Sequence, residues 1–291
     1  MKKSNKLRVA VTGANGFVAQ HTRNLLNEKG VKIYGIARRN FSNYKSESKI
    51  ISPNTSINEI SGKLKNCDAL IHLVGSGRES NVYSYKSINL NLTNKIIEIC
   101  KRSKIKKIVY FSGLGVTSNP ISSYFISKHK AEQEIIYSGL DYTIFRPSYI
   151  IGKNDPLAKN LTNQIQLGKI TIPGKGNYHL QPIFVGDVAQ IIFQAITSKK
   201  FSKKIVDLVG PQKVTFLEFV KQFKGKRKTK MEHVDLEYAF REALENPDSH
   251  YGIDDLNIMI GGFTGNYNKL KKLSGLKFKK FKTILESSSL S

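Results

Sequence analysis

The stretch KLRVAVTGANGFVAQHTRNLLNEKG, residues 6–30, decides the fold. Its apolar first part reads as a β-strand, and GFVAQHTRNLLNEKG reads as a helix closed by Gly30. Between them, Gly13 permits a tight turn and Gly16 lets the backbone approach a pyrophosphate. The small Ala19 lets the helix lie close to the strand. Such a helix start offers free N–H groups and the positive end of the helix dipole to phosphate. Strand, glycine turn and helix in this order predict a dinucleotide-binding unit.

The rest of the first half extends the pattern. VKIYGIAR, DALIHLVG, KKIVYFSG and DYTIFRP read as strands, the last stopped by Pro147. NLTNKIIEICKRSKI and SSYFISKHKAEQEIIYSG read as helices. This alternation predicts an α/β, Rossmann-like, doubly wound parallel sheet with a smaller C-terminal substrate lobe. After residue 150 the alternation weakens. GDVAQIIFQAI reads as a helix with Asp187 as N-cap, and KIVDLVGP as a strand returning to the sheet. The predicted core is therefore residues 1–150 plus about 183–210, and the predicted lobe about 151–182 and 211–291.

Composition narrows the class. No apolar run approaches the length of a bilayer span, so no transmembrane segment is expected. The basic start MKKSNK lacks the apolar stretch of a signal peptide and is expected to be a short tail. Cys67 and Cys100 make neither a disulfide framework nor a metal cluster, and the histidines show no metal-ligand spacing, so no metal is expected. A reducing, cytoplasmic setting is the expectation. The formal charge of +25 rests on 47 basic residues, mostly lysines spread along the chain. Without clustered arginine and aromatic residues, this is read as compositional bias, and nucleic acid is not the expected partner. The one tight basic run, KGKRKTK at residues 224–230, is expected on a solvated loop.

The end of the second strand bears on the choice of dinucleotide. An NAD site usually carries a carboxylate there for the ribose 2′-hydroxyl. This chain has Ala37, followed by Arg38 and Arg39. Two guanidinium groups and no acid predict NADP(H), with NAD(H) as the alternative. Asp68, before the DALIHLVG strand, either accepts the adenine amino group or caps a turn. Gly75 and Gly77, after that strand, would let the chain pass close to the cofactor.

Three tyrosines have a lysine four residues on: Tyr124/Lys128, Tyr149/Lys153 and Tyr267/Lys271. With 13 tyrosines in so lysine-rich a chain, chance supplies about two such pairs. Spacing alone therefore selects none. Only Tyr124 and Lys128 lie on the helix after the VYFSG strand, at the expected nicotinamide end of the sheet.

Taken together, TGANGFVA, DALIHLVG, YFISK, FRPSYIIG and FVGDVA resemble the short-chain dehydrogenase/reductase superfamily, in its extended and atypical branches. The C-terminal tail is similar to a subgroup that includes the nucleotide-binding accessory subunit of respiratory complex I. The resemblance implies Tyr124 as general acid/base, Lys128 as its partner and ribose ligand, and Ser112 as a weaker third member. It further implies Asn15, Phe17, Val18, Leu73, Val74, Asn89, Pro147 and Ser148 around the cofactor. Where active relatives place further hydroxyls after Ser112, this chain reads SGLG, with Thr117 and Ser118 beyond. That departure weakens sugar epimerase or dehydratase chemistry and leaves a simple reductase or a cofactor-holding subunit. Arg146 is read as an ion-pair partner or a ligand. His179 and Gln181 are placed on the substrate lobe, with His179 as a surface residue. The substrate is an unidentified small molecule, and a protein partner or homo-oligomer is compatible with the subgroup.

Overall fold

The computed structural model describes residues 6–75, 84–120, 122–246 and 248–286. Gly77 lies outside them. In chain order the first elements are β1 (Arg8–Thr12), α1 (Phe17–Glu28), β2 (Lys32–Ala37), β3 (Glu47–Ile51), α2 (Ile57–Lys63) and β4 (Ala69–His72). A π-helical turn (Lys86–Asn91) leads into α3 (Leu92–Arg102), followed by β5 (Lys107–Phe111), α4 (Ser123–Tyr137) and β6 (Asp141–Pro147). Then come β7 (Ile150–Ile151), α5 (Pro156–Gln166), β8 (Lys169–Pro173), β9 (His179–Leu180), β10 (Ile183–Phe184), α6 (Val185–Thr197) and β11 (Lys204–Leu208). The chain ends with β12 (Val214–Thr215), α7 (Phe216–Lys224), β13 (Lys230–Val234), α8 (Leu236–Glu245), α9 (Ile253–Ile260), α10 (Tyr267–Ser274) and α11 (Phe281–Glu286). No helix among the described residues is long and apolar enough to cross a membrane.

The chain divides into two compact units, residues 1–146 with 188–206, and 147–187 with 207–291. The first carries the central sheet of seven strands, in the order β11-β6-β5-β4-β1-β2-β3. The pairs from β6 through β3 are all parallel. The order reverses between β1 and β4, and in open α/β sheets that reversal opens a crevice at the carboxyl ends of the strands. Strands buried on both faces must be apolar throughout, and Val9, Ala10 and Val11 are fully buried, as are Ala69, Leu70 and Ile71. Strand β3 is the strand of this sheet that the sequence reading left out; its run SKII is short and carries a lysine. Cys67 and Cys100 are buried, unpaired thiols, both pushed up to about 12 by desolvation. Neither is a reactive thiolate at neutral pH.

Two expectations need correction. Asp187 does not cap α6, because the helix already begins at Val185. Its carboxylate instead accepts the Lys279 N–H at 2.9 Å. Asp68 lies at the amino end of β4, where its carboxylate accepts the Arg8 N–H at 2.7 Å. Arg8 is the first residue of β1, whereas the glycine turn follows its last residue, Thr12. Five residues of strand, about 16 Å, separate the two edges, so Asp68 is a strand-edge clamp and not an adenine ligand.

The second unit has an aromatic core, with Phe216, Phe219 and Phe281 buried and the last two stacked at 4.9 Å. Helix α7 starts in a capping box, in which Thr215 and Glu218 satisfy each other's backbone N–H groups. KGKRKTK spans the end of α7, the connection after it and the start of β13, with Lys226, Arg227 and Lys228 exposed.

Asp155 caps α5 through the Leu157 N–H at 2.8 Å, accepts the Tyr149 hydroxyl at 2.7 Å and is 1% exposed. Burial outweighs these hydrogen bonds and pushes its carboxyl up from 3.8 to about 6. A raised carboxyl favours the folded state at low pH, and that contribution is lost as pH rises from about 4 through about 6. Asp155→Asn keeps an oxygen for the cap but cannot ionise. In urea unfolding, the variant is expected to gain stability relative to the natural protein between pH 4 and pH 7. A pH-independent difference between the two proteins contradicts this reading.

Candidate functional site

A cavity of about 720 Å³ opens at the carboxyl ends of β1 to β4. Its walls include Thr12, Gly13, Asn15 and Gly16 from the first turn, and Ala37, Arg38 and Arg39 after β2. Leu73, Val74 and Gly75 after β4 complete the side nearest the sheet. Gly13 has φ +69°, and a Cβ there would stand 3.1 Å from the Val74 side chain. Gly16 is the N-cap of α1 and supplies no side-chain cap, so the first-turn N–H groups face the turn without a side-chain acceptor. Phe17 and Val18 open that helix, and the Phe17 ring meets His21 edge-on at 5.4 Å. Arg38 and Arg39 are exposed at the cavity, after the buried Ala37.

Sequence reasoning missed part of this wall. Ser52, Pro53, Asn54 and Thr55, which follow β3, line it, as do Ser87 and Asn91 of the π-helical turn and Lys95 of α3. The Lys95 ammonium donates to the Asn54 carbonyl at 3.4 Å. The only available signal was the short SKII run, since residues after an edge strand lie beside those after its neighbour.

Helix α4 brings Tyr124 and Lys128 to the ends of β4 and β5. Ser122 caps the helix through the Phe125 N–H at 3.3 Å. Lys128 is buried, donates to the Phe111 carbonyl at 3.0 Å and sits 5.2 Å from the Tyr110 ring centre. Desolvation lowers its ammonium from 10.5 to about 8, and the charge of Glu132 partly opposes that. A Cβ on Gly75 would stand 2.6 Å from the Lys128 Nζ, so the absence of a side chain there makes room for the ammonium beside the cavity. A Cβ on Gly113 would likewise stand 3.0 Å from the Tyr124 hydroxyl oxygen. Tyr124 packs edge-on between Tyr85 at 5.8 Å and Phe125 at 5.1 Å.

Ser112 directly follows β5, with its N–H on the Phe145 carbonyl at 2.8 Å. Its hydroxyl is buried and has no hydrogen-bond partner among the described residues. Buried polar atoms are rarely left so, and a catalytic role or an ordered water is among the explanations for one. Thr117 and Ser118 are exposed and do not fold back as buried substitutes.

A chain of buried polar groups ties the glycine turn to α4. The Thr93 hydroxyl donates to the Asn89 carbonyl at 2.6 Å, so toward His72 it can only accept, from Nε2–H at 3.3 Å. His72 Nδ1 then accepts the Thr12 hydroxyl at 2.7 Å, and Thr12 in turn accepts the Leu73 N–H. Burial lowers His72 to about 3, which keeps this neutral tautomer in place. Asn89 continues the chain by donating to Ser127 at 3.0 Å, and Ser127 donates to the Tyr124 carbonyl at 2.7 Å. Asn89 therefore braces α4 from the π-helical turn.

Arg146 takes the ion-pair reading. Its guanidinium grips the buried Glu132 carboxylate in a two-point bond, at 2.9 and 2.6 Å. Pro147 and Ser148 fall in the second unit, where Ser148 accepts the Gln181 N–H at 3.3 Å. Gln181 is buried in that unit, where its amide donates to the Gly210 carbonyl and accepts the Gly265 N–H. His179 is exposed on β9. Among the described residues no group of histidine, cysteine and carboxylate side chains could hold a metal ion.

Known proteins resemble this chain in sequence and in fold. An uncharacterized sugar epimerase of Bacillus subtilis, YhfK, is 24% identical over 213 residues, which is 69% of this chain and 94% of that protein. Subunit 9 of the NADH dehydrogenase [ubiquinone] 1 alpha subcomplex from Arabidopsis thaliana mitochondria is 24% identical over 65% of this chain and 48% of its own length. A 2-alkyl-3-oxoalkanoate reductase of Shewanella oneidensis is 26% identical over 62% of this chain and 54% of its own. The chain thus spans about half the length of the last two. Among solved structures, Pal from Bacillus thuringiensis superimposes with a TM-score of 0.77 at 17% identity, over 97% of this chain and 98% of its own. The Bordetella bronchiseptica enzyme WbmH, solved with NAD+, gives 0.74 at 17% identity, over 98% and 97%. Both show the same fold. Residues 9–208 match the NAD dependent epimerase/dehydratase family, and the chain belongs to it.

Proposed function

We propose that this protein is an NADP(H)-dependent reductase of the short-chain dehydrogenase/reductase type, exchanging hydride with a small carbonyl or hydroxyl substrate. The observation that carries the reading is the buried Lys128 ammonium on one helical face with Tyr124, both set against glycines at the strand ends. Residues four apart share a helix face, so the phenol and the ammonium act on one region.

The residues fit a nicotinamide dinucleotide. The turn from Gly13 to Gly16 and the uncapped start of α1 suit a pyrophosphate. Arg38 and Arg39 suit a ribose 2′-phosphate, with Ala37 where a 2′-hydroxyl site carries an acid. Lys128, at the Gly75 end of the cavity, suits the ribose next to the nicotinamide. When bound, the reduced nicotinamide supplies the hydride.

The chain's own groups handle the proton. Tyr124 delivers its phenolic proton to the substrate oxygen during reduction and is reprotonated from solvent. A free phenol near pKa 10 transfers a proton poorly at neutral pH, and a nearby ammonium favours the phenolate. Ser112, with its unengaged hydroxyl, donates a hydrogen bond to the same substrate oxygen. Glu132 holds charge on Lys128 against desolvation.

A cofactor-holding subunit without turnover is the second reading. It is favoured by the single buried hydroxyl at Ser112, with Thr117 and Ser118 exposed. Epimerase chemistry, the activity in the name of the Bacillus subtilis relative, would regenerate its cofactor and consume none.

Fluorescence titration with NADPH and NADH tests the cofactor. NADPH is expected to bind at least about tenfold tighter, the worth of one charge-assisted hydrogen bond. Equal affinities contradict the NADP(H) reading. Turnover of NADPH with a panel of aldehydes and ketones tests the chemistry. Tyr124→Phe is expected to lower kcat by about 10²–10⁴-fold with the NADPH dissociation constant unchanged. Activity that survives the substitution removes Tyr124 from the mechanism. NADPH held through purification without consumption supports the subunit reading, and conversion of a sugar nucleotide without net NADPH loss supports the epimerase.

The pH profile adds a check. Lys128 loses its charge as pH rises through about 8, so kcat/KM is expected to fall on the alkaline side from that point. A flat profile to pH 10 contradicts a role for the ammonium.

A further inference from the structure

Helix α1 buries an arginine. Arg23 is 2% exposed, and its guanidinium reaches three separate segments. Nε and Nη2 grip the Glu47 carboxylate at the start of β3, each at 2.6 Å. Nη1 donates to the Ala14 carbonyl within the glycine turn, at 2.7 Å. Nη2 also donates to the Ser42 carbonyl, at 2.7 Å. The guanidinium lies 4.6 Å from the Phe41 ring centre and 5.4 Å from that of Tyr44. Glu47 further accepts the Tyr44 N–H at 3.1 Å.

Residues 38–46 form no helix or strand. Arg23 holds them through two rings, one carbonyl and the carboxylate it shares with Tyr44. Lys49 adds a bond to Asn40 at 2.8 Å and lies 5.3 Å from the Phe41 ring centre, and Ser46 donates to Asn27 at 2.7 Å. That connection begins with Arg38 and Arg39 at the cavity wall. β2 also makes room for the pair. A Cβ on Gly35 would stand 2.3 Å from the Glu47 carboxylate and 2.9 Å from the Phe41 ring, a clash no side chain could tolerate.

From this geometry we infer that the Arg23–Glu47 pair is a selectivity strut, which holds the Arg38–Arg39 connection in register with the glycine turn and so sets the preference for a 2′-phosphorylated dinucleotide. Arg23 is a positioning residue, since it acts through Arg38 and Arg39 and touches no part of the cavity wall itself. A buried ion pair adds little net stability compared with an apolar pair, but its fixed geometry can give specificity. Arginine suits the task because its planar fork can bind a carboxylate with two bonds and still reach two carbonyls, which a lysine cannot do. The inference rests on the NADP(H) reading above.

The test compares dissociation constants for NADPH and NADH in the natural protein, Arg23→Lys and Phe41→Ala, with folded protein quantified by circular dichroism. Arg23→Lys keeps the charge and loses the fork. Phe41→Ala removes a ring from the connection and leaves the Ala14 and Glu47 contacts in place. The NADH-to-NADPH ratio is expected to fall about tenfold in Arg23→Lys, the worth of one charge-assisted hydrogen bond, and in the same direction in Phe41→Ala. A general loss of folded protein weakens both cofactors equally and leaves the ratio unmoved. An unmoved ratio in folded Arg23→Lys overturns the strut. If Arg23→Lys does not fold, an unmoved ratio in Phe41→Ala does so. A natural protein with a ratio near one overturns the NADP(H) reading and the strut together.

Discussion

A buried ammonium must be given hydrogen bonds, and that demand on Lys128 organises the centre of this protein. It donates to the Phe111 carbonyl at the end of β5, at 3.0 Å. The bond places α4 against the sheet at a fixed rotation, because Lys128 can reach that carbonyl from only one face of the helix. Tyr124, one turn earlier, is carried to the strand ends by the same rotation. The ammonium also explains two glycines: a side chain on Gly75 would displace it, and one on Gly113 would press on the phenol. Glu132, one turn later, lessens the cost of burying the charge and is itself neutralised by Arg146.

The neutral His72 provides the complementary constraint from the other side of the site. Its two nitrogens, one accepting from Thr12 and one donating toward Thr93, connect the strand before the glycine turn to the start of α3, and the Thr93 hydroxyl bonds the Asn89 carbonyl of the π-helical turn. From there, Asn89 and Ser127 reach the backbone of Tyr124. The glycine turn and the tyrosine helix are thus parts of one hydrogen-bonded assembly. Buried networks of this kind are rigid when every member is satisfied, and a reaction centre needs its groups fixed to a fraction of an ångström. Arg23 and Glu47 supply comparable bracing at the opposite end of the cavity.

The parts of the fold legible in the sequence were those in which local chemistry and position agree. Gly13, Gly16 and Ala19 announced the first turn because the backbone there needs small residues, and the Tyr124/Lys128 pair stood out from its two coincidental copies by its place after β5. Strand β3 escaped notice because SKII is too short for a periodic signal, and with it went the cavity wall from Ser52 to Thr55. Asp68 misled because an acid before a strand looks alike whether it clamps the amino edge or faces a ligand; only the register of β1 with β4 separates the two. Nothing along α1 marks Arg23 as buried, since burial of a charge is decided by a partner 24 residues away. Long-range pairing of this kind leaves no periodic mark along the chain.

In the proposed function, one cavity holds a dinucleotide between Arg38 and Arg39 at one end and Lys128 at the other. A crystal structure of the NADPH complex is the decisive experiment. The 2′-phosphate is expected in ion-pair contact with Arg38 or Arg39, the pyrophosphate on the N–H groups that begin α1, and a nicotinamide ribose hydroxyl on the Lys128 ammonium. NADPH bound elsewhere, or bound in this cavity with its 2′-phosphate free of both arginines and its ribose out of reach of Lys128, would contradict this placement.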